Sequence, residues 1–417
     1  MNSKRAFRYL CYISLLLFVS AGLYALGAVL AEQDTDPRET AFPSSEMPDQ
    51  LCLTWSDSPQ HTQTIQWRTS PAVRTGQVQY HPAAEGEENA HTADASLFVL
   101  KDSGVINDPV NHRFTAVLRD LIPGTVYRYR VGAASRWSDW SEFVTAPAGT
   151  APFSFVYLGD PQVGFDQWSQ LLQSAITRCP DAAFYAVAGD QVNRGTHRNE
   201  WDELFRAATG IFDRRPYVPA PGNHDYARRW KPKMYLDLLT LPENGPVCPG
   251  PELSYAFHYS NALFVVLDSN RFIRAQKAWL EEQLKNTKAT WKFAIFHHPA
   301  YSSKANRDNR TIRKVWGSLF DTYHVDMALQ GHDHGYLRTK PMHGGLVAAS
   351  PAEGTVYVVS VSGAKRYAVG DFSYAEKTLD HTATWQHIDI QTEGGDVLTY
   401  RAYTQEGTLV DELTIRK

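Results

Sequence analysis

Five short segments each end in side chains able to bind a metal. FVYLGD ends in Asp160 and YAVAGD in Asp190. VPAPGNHD delivers Asn223, His224 and Asp225, FAIFHHP delivers His297 and His298, and MALQGHDH delivers His332 and His334. Each follows a run of apolar, β-prone residues, so the ligand-capable groups fall in loops at the carboxyl ends of strands. Open α/β sheets form their ligand crevice there, which lets residues far apart in sequence converge. Gly159, Gly189, Gly222 and Gly331 precede the key residues, and glycine permits both an abrupt turn and a close backbone approach. Carboxylates, an amide oxygen and imidazoles, with no thiolate, suit divalent or trivalent Mn, Fe or Zn. One aspartate between two histidine-bearing half-sites suggests a bridged pair of ions. Two metals about 3.5–4 Å apart can clamp the entering and leaving oxygens of an in-line displacement at phosphorus.

The elements that must position these groups follow from periodicity. From residue 151 to 417, continuous apolar runs (153–158, 183–188, 217–220, 263–267, 292–296, 325–329 and 356–361) alternate with amphipathic stretches at 166–178, 199–212 and 275–286. Continuous apolar strands between helices are buried on both faces, which predicts a layered α/β domain. Residues 48–147 read differently. Leu51, Leu53 and Trp55, then Ile65 and Trp67, then Tyr127, Tyr129 and Val131 alternate with polar or small neighbours. Period two predicts an antiparallel all-β sandwich with one wet face per sheet. The stretch Leu121–Tyr127 resembles the corner of fibronectin type III-like domains, where a tyrosine hydroxyl bonds back to the main chain. RWSDWS, with Trp137 and Trp140, suggests an arginine–aromatic ladder on that sandwich.

The chain has 417 residues and a net charge of −4. That balance leaves no broad positive field, so no nucleic-acid binding is expected. Lys4, Arg5 and Arg8 precede an apolar run ending at Ala31. At about 22 residues it is long enough to span hydrocarbon. Residues 1–31 therefore read as a cleaved signal peptide or a retained membrane anchor, with 32–47 a linker. Either reading exports the remainder to a periplasmic, extracellular or membrane-anchored position. Cys52, Cys179 and Cys248 leave two readings open: a Cys179–Cys248 disulfide with one free thiol, or three isolated thiols.

The blocks GD(160), GDQVN, GNHD, HHP and GHDH, in that order, resemble those of the calcineurin-like metallophosphoesterases. With the preceding fibronectin type III-like sandwich, the chain is similar to the purple acid phosphatase-like branch. The resemblance implies an α/β catalytic domain of layered sheets flanked by helices. It implies two ions, with Asp190 bridging, Asp160 and His334 on the first, and Asn223, His297 and His332 on the second. It also implies a metal-bridging hydroxide as nucleophile and His224 as general acid, with Asp225 orienting it.

Two departures stand out. Gln162 occupies a position where the superfamily usually has histidine, and Asn193 one where the purple enzymes have tyrosine. Either can offer an amide oxygen to the first metal or lie behind it. Without the tyrosine there is no tyrosinate–iron charge transfer, so the expected protein is not purple. His298, Arg228 and Arg229 are candidate substrate contacts. The expected activity is hydrolysis of small-molecule phosphate esters, monoesters favoured. A phosphodiesterase, a nucleotide or polyphosphate hydrolase, and a non-catalytic surface-binding protein are the alternatives. Oligomeric state is open.

Overall fold

The structure is a computed structural model and describes residues 36–226 and 231–417. The N-terminal apolar run, Arg228 and Arg229 lie outside the described residues. Among the described residues, no helix is long and apolar enough to cross a membrane.

The first unit is a two-sheet sandwich. Strands β1 (Asp49–Thr54), β2 (Gln63–Thr69), β5 (Ser96–Lys101) and β6 (Val110–Leu118) form a sheet in the order β1-β2-β6-β5. Strands β3 (Gln77–Pro82), β4 (His91–Asp94), β7 (Val126–Ala133) and β8 (Arg136–Trp137) form the other in the order β4-β3-β7-β8, and β9 (Ser141–Val144) also pairs with β7. Leu53, Ile65, Trp67 and Phe114 meet Val78, Tyr129, Val131 and Phe143 between them. The Tyr127 hydroxyl accepts the Ile122 N–H at 3.0 Å, as the corner pattern predicts. The expected ladder is present as well: the Arg130 guanidinium lies 5.1 Å from the Trp137 ring and 4.7 Å from Trp140.

The expectation of one wet face per sheet fails for β2, which is buried at all seven positions. Its outer face is covered by the second unit. Gln66 donates to the Leu238 carbonyl and accepts the Thr240 N–H. Arg68 donates to Asp202 at 2.8 Å. The Leu53 N–H reaches the Phe212 carbonyl at 2.7 Å. The polar half of the alternation is real, but it meets protein rather than water. The disulfide reading also falls: Cys52, Cys179 and Cys248 are all free, and burial pushes the Cys52 and Cys179 thiols up to about 12 and about 11.

The second unit stacks two sheets. One contains β10 (Phe153–Leu158), β11 (Tyr185–Ala188), β12 (Tyr217–Ala220), β22 (Thr384–Gln391), β23 (Val397–Thr404) and β24 (Leu409–Arg416). Strands β10, β11 and β12 are parallel neighbours. The other contains β13 (Tyr255–Tyr259), β14 (Ala262–Val266), β15 (Trp291–Ile295), β16 (Met327–Gln330), β17 (Tyr336–Thr339), β20 (Val356–Val359) and β21 (Ala375–Leu379). A short hairpin of β18 (Met342–His343) and β19 (Leu346–Val347) stands apart. Strands β14, β15, β16 and β20 are parallel in that order. Phe155 of the first sheet packs edge-on against Phe264 and Phe293 of the second. Such contacts contribute about 0.5–1.5 kcal/mol each beyond the area they bury.

Helix α1 (Phe165–Arg178) buries Trp168, Leu171, Leu172 and Ala175, the spacing of one apolar stripe. Helix α2 (Arg198–Ala207) buries Trp201, Leu204 and Phe205, and α3 (Lys277–Asn286) buries Leu280 and Leu284. The stretch predicted as helical to 212 ends at Ala207; Gly210, at φ 84°, turns the chain three residues later.

The Arg68–Asp202 pair welds the two units, with side chains 1% and 3% exposed. Removing one partner of such a pair strands a buried charge. Asp202→Ala is therefore expected to lower unfolding stability in urea by about 3–5 kcal/mol. A loss below about 1 kcal/mol, the range of a surface pair, would show that this contact does not hold the units together.

Candidate metal centre

The two sheets deliver their loops to one place. Asp160, Asp190 and Asn223 follow β10, β11 and β12, while His297 and His332 follow β15 and β16. The loops are in close contact. A Cβ on Gly222 would stand 2.2 Å from an Asp190 carboxylate oxygen, and one on Gly189 would stand 2.5 Å from His297 Nδ1. Gly189 also holds φ at 90°. No larger residue fits either position without moving the site.

The ligand-capable residues themselves adopt left-handed backbone: φ is 42° at Asp160, 50° at Asp190, 74° at His332 and 53° at His334. Asp and His tolerate this region better than most residues, but it still costs about 1–2 kcal/mol at each. The distortion turns each side chain abruptly off its strand and into the crevice.

Four donor atoms converge around His297. Its Nε2 lies 3.1 Å from Asn223 Oδ1, 3.2 Å from Asp190 Oδ2 and 3.1 Å from His332 Nδ1. The Ala188 carbonyl, 2.9 Å from His297 Nδ1, can only accept, so Nδ1 keeps a proton and Nε2, facing Asp190, is the atom available to a metal. Metal bonds to such atoms run about 2.0–2.2 Å, which sets neighbouring ligands about 3 Å apart. The spacing fits one ion. A second set comprises Asp160, Asp190 and His334, with ligand atoms all within 4.8 Å of one another. The Lys365 carbonyl accepts a hydrogen bond from His334 Nδ1 at 2.6 Å, leaving Nε2 for a metal. Asp160 accepts the His332 N–H with one oxygen, while its other, buried oxygen has no hydrogen-bond partner. That oxygen fits a cation. Gln162 is 2% exposed, and both polar atoms of its side chain lack a hydrogen-bond partner.

The chain's own charges point the same way. Burial pushes the Asp160 carboxyl well above the usual range, with His297 only partly opposing it. Burial raises Asp190 too, but the His297 charge and hydrogen bond, together with His224, hold it at about 2. Burial would depress His297; the charge of Asp190 and its hydrogen bond overcome that and lift it to about 9. Burial lowers His298 to about 3 and His334 to about 4, and lowers His332 further still. Burial thus keeps His298, His332 and His334 neutral, while His297 holds a positive charge against the buried carboxylates that a cation bound there would replace.

His224 stands at the edge of this cluster. Its N–H donates to Asp190 Oδ1 at 2.8 Å, and its Nδ1 lies 2.6 Å from the Asn193 carbonyl. That carbonyl places the proton on Nδ1 and turns Nε2 outward. Asp225 does not orient it. Its carboxylate instead accepts the N–H groups of Gln191, Val192 and Gly222, tying two loops together. The group that orients His224 is thus the Asn193 main chain. His298 lies beside His297 and His332, and Ser269 bonds both its Nδ1 (3.0 Å) and its N–H (2.8 Å). Sequence reasoning missed Asp333, which sits between the two histidines of GHDH. It accepts bonds from Ser302 and Arg307, both 2.5 Å, and from the Ser303 N–H at 2.8 Å. The orienting carbonyls have no signal in residue type at all. Tyr367, also missed, packs its ring 5.1 Å from that of His334.

Two family models match the chain. Residues 48–145 match the purple acid phosphatase N-terminal domain, and residues 153–336 match the calcineurin-like phosphoesterase model. The chain is 26% identical to human acid phosphatase type 7, over 97% of this chain and 95% of that protein. It is 26% identical to probable purple acid phosphatase 20 of Arabidopsis thaliana, over 70% of this chain and 66% of that one. Fe(3+)-Zn(2+) purple acid phosphatase 12 of the same plant is 24% identical over 72% of this chain and 66% of its own length. A purple acid phosphatase from yellow lupin seeds shares the fold, with TM-score 0.76 at 18% identity, covering 89% of this chain and 74% of that chain.

Asp190 belongs to both donor clusters. Asp190→Ala is expected to reduce bound metal to below one ion per chain after reconstitution with Mn, Fe or Zn, whereas Asp160→Asn should cost one ion and spare the other. Elemental analysis of the desalted proteins reads both, and full retention by Asp190→Ala would show that the two clusters do not share that carboxylate.

Proposed function

The chain belongs to the calcineurin-like phosphoesterases, in the purple acid phosphatase-like branch, and from that premise we propose that it hydrolyses phosphomonoesters at a two-metal site. The observation that carries the reading is Asp190: one carboxylate reaches His297 with one oxygen, accepts the His224 N–H with the other, and clusters with Asp160 and His334. Asp160, Asp190 and His334 would hold one ion. Asp190, Asn223, His297 and His332 would hold the other. When bound, such a pair supplies Lewis-acid charge at the phosphoryl oxygens and lowers the pKa of attacking water.

The chain's own groups do the rest. Asn223, with Oδ1 turned to the second ion, keeps its NH2 for a phosphoryl oxygen, and His298 beside the cluster can meet another. His224, held by the Asn193 carbonyl, turns Nε2 outward and delivers its proton to the departing alkoxide. Gln162 stands in place of a histidine with an unused amide, which makes the first site richer in oxygen and favours Mn or Fe over Zn. The monoester preference draws on the relatives named acid phosphatases. We place the reaction outside the cytoplasm, on the cations and apolar run at residues 4–31.

An aryl phosphate assay with added Mn, with Asp190→Ala as the inactive control, tests the reading. Equal and negligible turnover by both proteins, on mono- and diesters alike, would return the function to the sandwich as a binding module. His224→Ala should lower kcat by about 10²–10⁴-fold on alkyl phosphates, within the usual range for general acids. Its effect on p-nitrophenyl phosphate should be smaller, because that leaving group needs no proton. An equal loss on both substrates would remove His224 as the acid. The Fe-loaded protein should show no tyrosinate charge-transfer band in the visible spectrum, and Asn193→Tyr is the variant in which one could arise.

A further inference from the structure

Residues 360–374 run without regular structure beneath the metal loops and are stitched to three of them. The Ser362 and Gly363 N–H groups reach the Gly159 and Asp160 carbonyls at 2.6 and 3.0 Å. Those of Tyr367 and Gly370 reach His334 and Ser303 at 2.7 and 2.8 Å. This strap is therefore fixed relative to the first cluster. It carries Tyr367 against the His334 ring and supplies the carbonyl that orients His334. Two ammonium groups lie near the same tyrosine ring: Lys304 Nζ at 4.8 Å from its centroid and Lys365 Nζ at 5.9 Å. Both lysines and Tyr367 are half-buried.

Neither lysine forms an ion pair with a carboxylate among the described residues. Asp333 accepts the Lys304 main-chain N–H, but its carboxylate is paired with Arg307 and bonded by Ser302, and Asp380 accepts the Val369 N–H. Arg366 is directed away, to Gln167 and the Gly363 carbonyl. Two like charges gathered at one aromatic ring repel each other. Cation–π attraction returns only about 0.5–1 kcal/mol for each at a partly exposed ring. An anion between them would relieve the repulsion. Lysine binds phosphate as a mobile point charge, without the planar fork that matches arginine to carboxylates.

We propose that Lys304, Lys365 and Tyr367 form a second anion subsite beside the first cluster, and that it selects substrates bearing a further phosphate beyond the scissile one, the diphosphate class. The subsite rests on the phosphoesterase reading for its catalytic consequence but not for its binding. Both ammonium groups lie at the ring that packs on His334, so a diphosphate would place one phosphoryl group at the ions and the other at the lysines.

The test uses the metal-loaded chain and the double variant Lys304→Gln/Lys365→Gln, with Lys304→Arg/Lys365→Arg retaining the charge. The ratio of kcat/KM for a nucleoside diphosphate, and for inorganic pyrophosphate, to that for p-nitrophenyl phosphate should fall at least tenfold in the Gln variant and stay within threefold in the Arg variant. A fall confined to the nucleotide, with pyrophosphate unaffected, would assign the lysines to some other part of that substrate and overturn the subsite as stated. Binding of methylene diphosphonate, measured by calorimetry against methylphosphonate, should weaken at least tenfold in the Gln variant only. If no ester is hydrolysed but this binding difference holds, the subsite stands and the catalytic reading falls. Unchanged binding and an unchanged ratio would overturn the subsite and leave the catalytic reading intact.

Discussion

Lone pairs crowd together where the two sheets meet, and the site's architecture is organised around that crowding. Asn223 Oδ1, Asp190 Oδ2 and His332 Nδ1 stand 3.1–3.2 Å from His297 Nε2, more acceptors than one ring proton can serve, and one buried oxygen of Asp160 has no partner. Buried acceptors left facing each other are costly. A cation turns the same arrangement into the most favourable contact in the crevice. Because Asp190 comes from one sheet and His297 from the other, any ion bound there also ties the sheets together. Metal affinity and the packing of Phe155 against Phe264 and Phe293 are thus thermodynamically linked.

Main-chain carbonyls set the proton positions. The carbonyls of Ala188, Lys365 and Asn193 each accept a hydrogen bond from Nδ1 of a histidine, those of His297, His334 and His224. In each case Nε2 is the ring nitrogen left free of that bond, and the ring's rotation is fixed by an acceptor that no point substitution can delete. The left-handed backbone at Asp160, Asp190, His332 and His334 has the same logic. It stores local strain, and the surrounding ladders of parallel strands are stiff enough to hold it.

Much of this was legible in the sequence because strand ends and ligand types are local properties. The runs before Asp160, Asp190, Asn223, His297 and His332 became the expected strands within a residue or two, and glycine marked the turns. Asp225 was misread. Its neighbour His224 made a dyad plausible, yet the nearest unsatisfied donors were backbone N–H groups, and those are invisible in residue type. The wet face of β2 was misread for a related reason: alternation tells which side chains are polar, not whether water or protein meets them. Gln66 and Arg68 are polar because another unit's carbonyls and Asp202 face them. Tyr367 and its lysines lie in a stretch with no periodicity, and their relation to His334 exists only through the fold.

The sandwich acquires a part in the chemistry through one connected path. Asp108, on the loop before β6, binds the Arg198 guanidinium at 3.1 Å, and Asp202 binds it at 3.2 Å. Arg198 opens α2, whose Trp201 donates to the Gly195 carbonyl at 3.2 Å. The Gly195 N–H donates in turn to the His224 carbonyl at 2.9 Å, and a Cβ on Gly195 would strike the Asp225 main chain. The loop from Asp190 to His197, which contains the carbonyl that orients His224, is therefore braced at its far end by the sandwich. An arginine 1% exposed, held by carboxylates from both units, resists sliding more than a hydrophobic face does, since any shift leaves a buried charge unmatched. The N-terminal unit thus fixes the position of His224, the proton donor of the proposed reaction, without touching it.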